Sequence, residues 1–344
     1  MKKSTKWTKV IFSVVTALSL AACSSGGNSA APGGETGGSG EKIVVNIAYG
    51  NQPGEPIDQQ ANKWKELAEE KSGGRLELKL FPSSQLGSEK DVIEQAMMGN
   101  NTVILTGYDF LMDYVPDMGI FTAPYLTDST DDLFYLTTTE WFDGLRSDLR
   151  EKGLEVVTTN TLYGHRHLMT VKEVKTPEDL SGMKIRVPNS NIYTKTFEAM
   201  GATPTPMPLA EVYTSLQQGL IDGAENPLPV LQGSKTNEVA KYLALTEHTK
   251  IISPWVAGTA FFDTMPEDLQ QILKETGDEA GEYAKAITNE QSEKVLEEFK
   301  QQGVTVTEVD LNAFKEKTKS VYDAFPQWSP NLYDTVQELL KNRQ

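Results

Sequence analysis

The sequence predicts an α/β protein of two domains braced by one long helix. Strand-like and helix-like periodicities alternate along the chain, about 300 residues remain once an N-terminal leader is set aside, and residues 266–301 read as helix almost without a break. That length suffices for two domains with substantial cores. The alternating order favours a mostly parallel sheet covered by helices.

The leader is read first. Lys2, Lys3, Lys6 and Lys9 form a positive segment, and Val10 to Leu20 is an apolar run broken only by Ser13, Thr16 and Ser19. The run is short for a membrane span and fits a signal peptide over residues 1–22. It ends in Leu20-Ala21-Ala22 before Cys23, the only cysteine in the chain. Small residues before a lone cysteine resemble a bacterial lipobox, which implies cleavage before Cys23, lipidation of its thiol and anchorage to the outer face of the cell membrane. Residues 23–41, rich in Ser, Gly, Ala and Pro, read as a flexible tether.

Beyond the tether, residues 43–48 are a β-branched run ending at Tyr49-Gly50. Ile57, Ala61, Trp64, Leu67 and Ala68 share one helical face, with Gly73-Gly74 as its stop. Residues 75–80 alternate with period two, as a strand with one polar face does. Ser88 stands three residues before Asp91, a helix-start signature, and Val92, Ile93, Ala96 and Met97 supply the apolar stripe. Thr102 to Thr106 reads as a buried strand. Residues 155–158 and 164–170 read as two strands, and Thr176-Pro177 opens a short helix. Residues 184–187 form a strand closed by Pro188, and helices follow at about 191–200 and 209–218. At 1.5 Å per residue the run 266–301 spans ~50 Å, enough to brace two domains along a shared back. Gly277 and Gly281 interrupt it only lightly.

Charge excludes some partners. The formal net charge is −16; without the four leader lysines, 28 basic residues face 48 acidic ones, a net of −20. Nucleic acid is therefore not an expected partner, because phosphate contacts need a basic footprint. An anionic ligand has to be held by locally placed arginines against an unfavourable overall field. Removal of the leader and Cys23 leaves no thiol for a disulfide or a thiolate metal site. His165 and His167 alternate on one strand, but no compact carboxylate cluster accompanies them to make a zinc site. The chain has no G-x-S-x-G elbow and no G-x-G-x-x-G fingerprint, and Ser234 precedes Lys235-Thr236 where a P-loop needs glycine. No enzyme, metal or cofactor is called for.

Two arginines and an asparagine stand out. Arg186 lies near the end of its strand, with Ile185 and Val187 directed to the opposite face, and open α/β sheets bind ligands outside the carboxyl ends of their strands. Its guanidinium presents paired N–H donors matched to a carboxylate; a surface salt bridge is the plainer role. Arg166 lies on the preceding strand between His165 and His167, where an exposed strand arginine is an equal reading. Asn226 precedes Pro227 and reads as a helix cap, with the helix N-terminus suited to an anion.

Residues 184–227, KIRVPNSNIYTKTFEAMGATPTPMPLAEVYTSLQQGLIDGAENP, resemble the signature of the extracytoplasmic solute-binding proteins of TRAP transporters. Residues 73–95, GGRLELKLFPSSQLGSEKDVIEQ, are similar to the first-domain pattern of the same DctP-type family. The resemblance implies a two-domain periplasmic-binding-protein-like fold with a ligand cleft between domains. Domain I comprises 42–163 with about 252–291, and domain II comprises 164–251 with about 292–344. It implies that Arg186 of the K-x-R-V-P strand clamps a substrate carboxylate, that Arg166 in YGHRHLMT assists, and that Asn226 and Asn189 contact ligand. Asn51, Glu89 and Tyr108 match first-domain positions lining the cleft. Leu209 stands where many members, sialic-acid receptors among them, carry an aromatic ring, which argues for a smaller or differently shaped acid.

The function so implied is capture of a small organic acid, with a lean to a sugar acid such as a hexuronate or aldonate, and its delivery to the membrane subunits of a TRAP transporter. A C4-dicarboxylate or 2-oxo acid also fits. A ligand-presenting receptor for a sensor kinase and an extracellular enzyme using His165 or His167 as base are the other readings. A monomer is the plain expectation for a receptor that opens and closes.

Overall fold

In the computed structural model residues 42–343 are described; the leader, Cys23 and the tether lie outside the described residues. The strands are β1 (Ile43–Ala48), β2 (Leu76–Phe81), β3 (Thr102–Leu105), β4 (Leu154–Thr170), β5 (Lys184–Val187), β6 (Thr203–Pro206), β7 (Gly223–Asn226), β8 (Tyr242–Gly258) and β9 (Thr305–Thr307). They join in one sheet of order β2-β1-β3-β8-β4-β7-β5-β6, with β9 paired to β8.

The sheet has two parallel wings and an antiparallel centre. β2, β1 and β3 run parallel at one end, and β7, β5 and β6 run parallel at the other. Between them β4 and β8, each 17 residues long, pair antiparallel along their length. Each long strand serves both wings. Near Leu154 and Gly258 the pair borders β3, and near Thr170 and Tyr242 it borders β7 and β9.

The sequence pattern split β4 into two strands, 155–158 and 164–170, whereas the structure makes it one. Register shifts between Val156 and Thr158, Thr158 and Thr161, Leu162 and Gly164, and Arg166 and Leu168 break the period-two alternation from which a strand is read. The polar Thr158 and Asn160 in this stretch face the long helix, where they bond Asp278. Gly164 has φ +124°, and a Cβ there would lie 3.1 Å from Pro227.

Local capping sets several helix starts. Ser88 and Asp91 form the expected capping box at Glu89–Met97, and Thr139 caps Glu140–Glu151 through Phe142 N–H. Asn226 does not cap a helix: it ends β7, and the helix Leu228–Gly233 has Pro227 at its N-cap with no side-chain cap bond. Proline already supplies the extended backbone that a cap residue needs, so the asparagine amide is left for another purpose.

The predicted brace is present as a continuous 35-residue helix, Glu267–Gln301. Its buried positions, Leu269, Leu273, Thr276, Ala280, Ala284, Thr288, Val295 and Phe299, recur at helical spacing. The first half packs on Trp64 of the helix Pro56–Lys71, whose indole N–H donates to Leu273 O at 3.0 Å. The second half packs Val295 and Phe299 on Leu228 and Leu231 from the opposite wing. The glycines that weaken the pattern are approach points: a Cβ at Gly277 would lie 3.0 Å from the Trp64 ring, and one at Gly281 would lie 2.2 Å from Asn160 Oδ1.

Gly277→Val is therefore expected to overpack the helix against Trp64 and cost about 2–3 kcal/mol. That loss corresponds to a melting-temperature drop on the order of 5–10 °C. Gly144, exposed in Glu140–Glu151 with nothing within 4 Å of its Cβ position, is the control, and its change to alanine should add about 0.5–1 kcal/mol. Thermal melts of both variants check the pair.

Candidate ligand-binding site

A cavity of about 1000 Å³, open mouth included, lies between the two wings at the carboxyl ends of β1, β3, β5 and β7. Asn51, Glu89 and Asp109 line it from one wing and Arg186, Tyr193 and Asn226 from the other. The long strand β4 contributes Tyr163 and Arg166 between them.

Arg166 and Arg186 are both almost fully buried, yet they differ in their partners. Glu225 on β7 stands beside β4, one register position from the Asn226–His167 pair. Its carboxylate takes a bidentate bond from Arg166 Nε and Nη2, and its carbonyl oxygen accepts from Nη2 as well at 3.1 Å. The guanidinium also lies 4.8 Å from the centroid of the Tyr193 ring. His248 completes the group: its Nε2 is 3.1 Å from Glu225 Oε2, and its Nδ1 is 2.8 Å from Thr246 Oγ1. Burial alone pushes the Arg166 pKa down and the Glu225 pKa up; their mutual attraction outweighs both, so Arg166 ends above and Glu225 below its ordinary value. Burial holds His248 below the usual histidine range, so it is a neutral donor to Glu225.

Arg186 has no carboxylate within hydrogen-bond distance among the described residues. Its Nε and Nη2 donate to Met207 O at 3.0 and 2.8 Å, which orients the guanidinium without an ion pair, and Glu225 and Glu89 act on its charge only from a distance. Burial, with Arg166 adding to it, lowers its pKa to about 10, still fully charged at neutral pH. Three of its five N–H donors have no acceptor among the described residues.

The opposite wall is acidic. Glu89 Oε1 accepts from Thr106 Oγ1 at 2.6 Å and from Gly107 N–H at 2.8 Å. Burial and then the Asp109 charge raise its pKa to about 7. Burial raises Asp109 to about 6, against the attraction of Arg166. Asn51 donates to Glu55 Oε2 at 2.7 Å and lies 3.4 Å from the Tyr163 hydroxyl. The two wings also touch below the cleft, where Glu55 abuts Gly233; a Cβ at 233 would lie 1.8 Å from Glu55 Oε1.

Of the residues named from sequence, Arg186, Arg166, Asn226, Asn189, Glu89, Asn51 and Leu209 all line this cavity. Asn189 is exposed at the rim, and Leu209 approaches Gly50 across it. Asn226 is buried, and its amide makes no protein hydrogen bond among the described residues. Tyr108 does not line the cavity. It stacks on Phe121 at 4.4 Å in the core, because on the short helix Tyr108–Leu111 the next residue, Asp109, takes the cleft-facing position. Glu225, Asp109, Tyr163 and Tyr193 were not singled out from sequence. Glu225 directly precedes Asn226, and a buried arginine's need for a counter-charge is the signal by which it could have been found. His165 and His167 lie outside the cavity lining; burial holds His167 neutral, its pKa pushed down to about 3. Among the described residues no group of three His, Cys, Asp or Glu side chains is placed to hold a metal ion.

A carboxyl whose folded pKa exceeds its unfolded value of about 4.3 contributes stability below that value and loses it as pH rises through the folded pKa. For Glu89 that window runs from about pH 4.3 to about 7. Glu89→Gln should therefore melt higher than the parent at pH 8, and the advantage should shrink steadily towards pH 5. Paired melts across that range check it, since the histidine contributions are common to both proteins.

Residues 47–327 match the family model described as bacterial extracellular solute-binding protein, family 7. A solved TRAP periplasmic solute-binding protein from Actinobacillus succinogenes, with bound L-galactonate, is 46% identical; the alignment covers 87% of this chain and 99% of that one, with a TM-score of 0.86. Another from Ochrobacterium anthropi, with bound L-fuconate, is 46% identical with the same coverage of 87% and 99% and a TM-score of 0.85. A third, from Fusobacterium nucleatum with bound sn-glycerol 3-phosphate, is 34% identical over 87% and 97%, with a TM-score of 0.84. No helix among the described residues is long and apolar enough to cross a membrane. The chain belongs to the family 7 bacterial extracellular solute-binding proteins, the binding components of TRAP transporters.

Proposed function

We propose that this chain captures a six-carbon aldonic acid outside the cell and presents it to the membrane subunits of its transporter. The observation that carries the reading is the Arg186 guanidinium at the cavity wall, held by Met207 O with no ion pair and three N–H donors without an acceptor among the described residues. A carboxylate supplies the missing charge with matched bidentate geometry, which lysine does not reproduce. Asn226 and Asn51, together with the raised carboxyl of Glu89, offer donors and acceptors suited to a chain of hydroxyls. The two structures of 46% identity hold L-galactonate and L-fuconate, both polyhydroxy monoacids.

The ligand enters between domain I (42–163 with about 252–291) and domain II (164–251 with about 292–344), and β4, β8 and the long helix carry the hinge. Closure excludes water and strengthens the Arg186 ion pair. Cys23, after a lipobox-like segment, is the proposed point of lipid attachment, which keeps the receptor near its transporter.

Thermal melts of residues 41–344 against aldonates, hexuronates, C4-dicarboxylates and glycerol 3-phosphate test the substrate class. At a thousandfold excess over Kd, the true ligand adds about 4 kcal/mol. For a chain of this size that is a shift on the order of 8 °C or more. Aldonates should give it, and Arg186→Ala should weaken their binding by about 2–5 kcal/mol, at least about 30-fold in Kd. A shift confined to glycerol 3-phosphate or to dicarboxylates would overturn the assignment, as would near-normal aldonate affinity in Arg186→Ala.

A further inference from the structure

The charges lining the cleft carry a second conclusion, which rests on the aldonate reading. Arg166 and Arg186 bring two positive charges, and Glu225 cancels one of them through the bidentate pair. His248 is neutral. One positive charge therefore remains on the wall that holds Arg186, enough for a single carboxylate.

The wall from the other wing holds two further carboxyl groups, Glu89 and Asp109. Asp109 is 4% exposed, and its Oδ2 has no hydrogen-bond partner among the described residues. Two neighbours share that condition: Ser190 Oγ and the Tyr193 hydroxyl are buried and unpartnered as well. Ser190 stands near enough to Asp109 to help hold its pKa down, although no bond between the two side chains meets hydrogen-bond geometry. Buried polar atoms are seldom left in this state unless a ligand or water completes them. An unpartnered carboxyl beside two unpartnered hydroxyls suits a ligand hydroxyl, which both donates and accepts. It does not suit a second anion, which would have to be buried against like charge.

We propose that the cleft selects singly charged polyhydroxy acids: Arg186 takes one carboxylate, while Asp109 and Glu89 on the facing wall accept hydroxyls and reject a second anionic group. Lys90 is the other cation at the cavity, but it is exposed at the rim and lies 3.8 Å from Asp113, where water screens its charge. Even with Glu89 and Asp109 protonated, a dianion would leave one buried negative charge without a partner, which is costly.

L-Galactonate and galactarate test this directly. They share six carbons and differ in one terminal group, a hydroxymethyl in the first and a carboxylate in the second. Titration calorimetry at pH 7.5 should show galactarate binding about 100-fold or more weakly, the scale expected of like charges brought together out of water. Asp109→Asn should narrow that ratio by about tenfold, and Glu89→Gln should narrow it independently, which keeps the test valid if one variant fails to fold. Comparable affinities for the two acids in the parent protein would overturn the charge selection while leaving the aldonate reading intact. An unchanged ratio in two folded variants would also overturn it. Binding of neither acid would remove the aldonate reading, and the charge selection would fall with it.

Discussion

Where β4, β7 and β5 lie side by side, two arginines and one glutamate are buried on neighbouring strands. Taking a charge out of water costs several kcal/mol unless a partner of opposite sign replaces the lost solvation. Glu225 satisfies Arg166 through two parallel bonds, with His248 behind it fixing the carboxylate, and it cannot satisfy Arg186 in the same way. The surplus guanidinium is therefore held at the cavity wall by a backbone carbonyl alone. Much of the molecule's behaviour depends on that imbalance. A protein of net charge −16 thus holds one buried cation with no ion pair among the described residues, and the proposed carboxylate site rests on it.

The fold creates the place for this imbalance. Two parallel wings each end their strands at the same cleft, and the shared strands β4 and β8 keep the wings in one sheet. Bulges along β4 bend it between the wings, and Gly164 gives Pro227 room to pass close by. Behind the sheet the long helix binds Trp64 on one side and Leu228 and Leu231 on the other, and its glycines allow β4 and Trp64 to approach the helix axis. Few elements connect the wings, which suits the proposed opening and closing of the cleft around a solute.

Much of this was legible in the residues. Short strands and amphipathic helices announced themselves by period, and the brace was visible as an unusually long helical run. Arg186 stands out because strand-end position and motif agree, and Arg166 by the motif alone; both line the cavity. What the pattern concealed has physical reasons. β4 was split because bulges disturb alternation, and its polar centre faces a helix rather than water. Tyr108 was placed in the cleft because position along the chain does not reveal which way a four-residue helix turns; its ring went to the core beside Phe121, and Asp109 faced the ligand space. Asn226 was read as a cap because Pro227 follows it, although the proline itself occupies the cap position. Glu225 was passed over because a carboxylate in an acidic chain draws no notice until its arginine partner is seen to be buried.

The most direct measurement is a double comparison of L-galactonate with galactitol, the alcohol in which a hydroxymethyl replaces the carboxylate, on the parent protein and on Arg186→Gln. The account predicts that the parent prefers the acid by about 100-fold or more and that the preference falls below about tenfold in the variant, since the pairwise coupling isolates the carboxylate–guanidinium contact. Equal affinity for acid and alcohol in the parent, or a preference that survives the loss of Arg186, would contradict it.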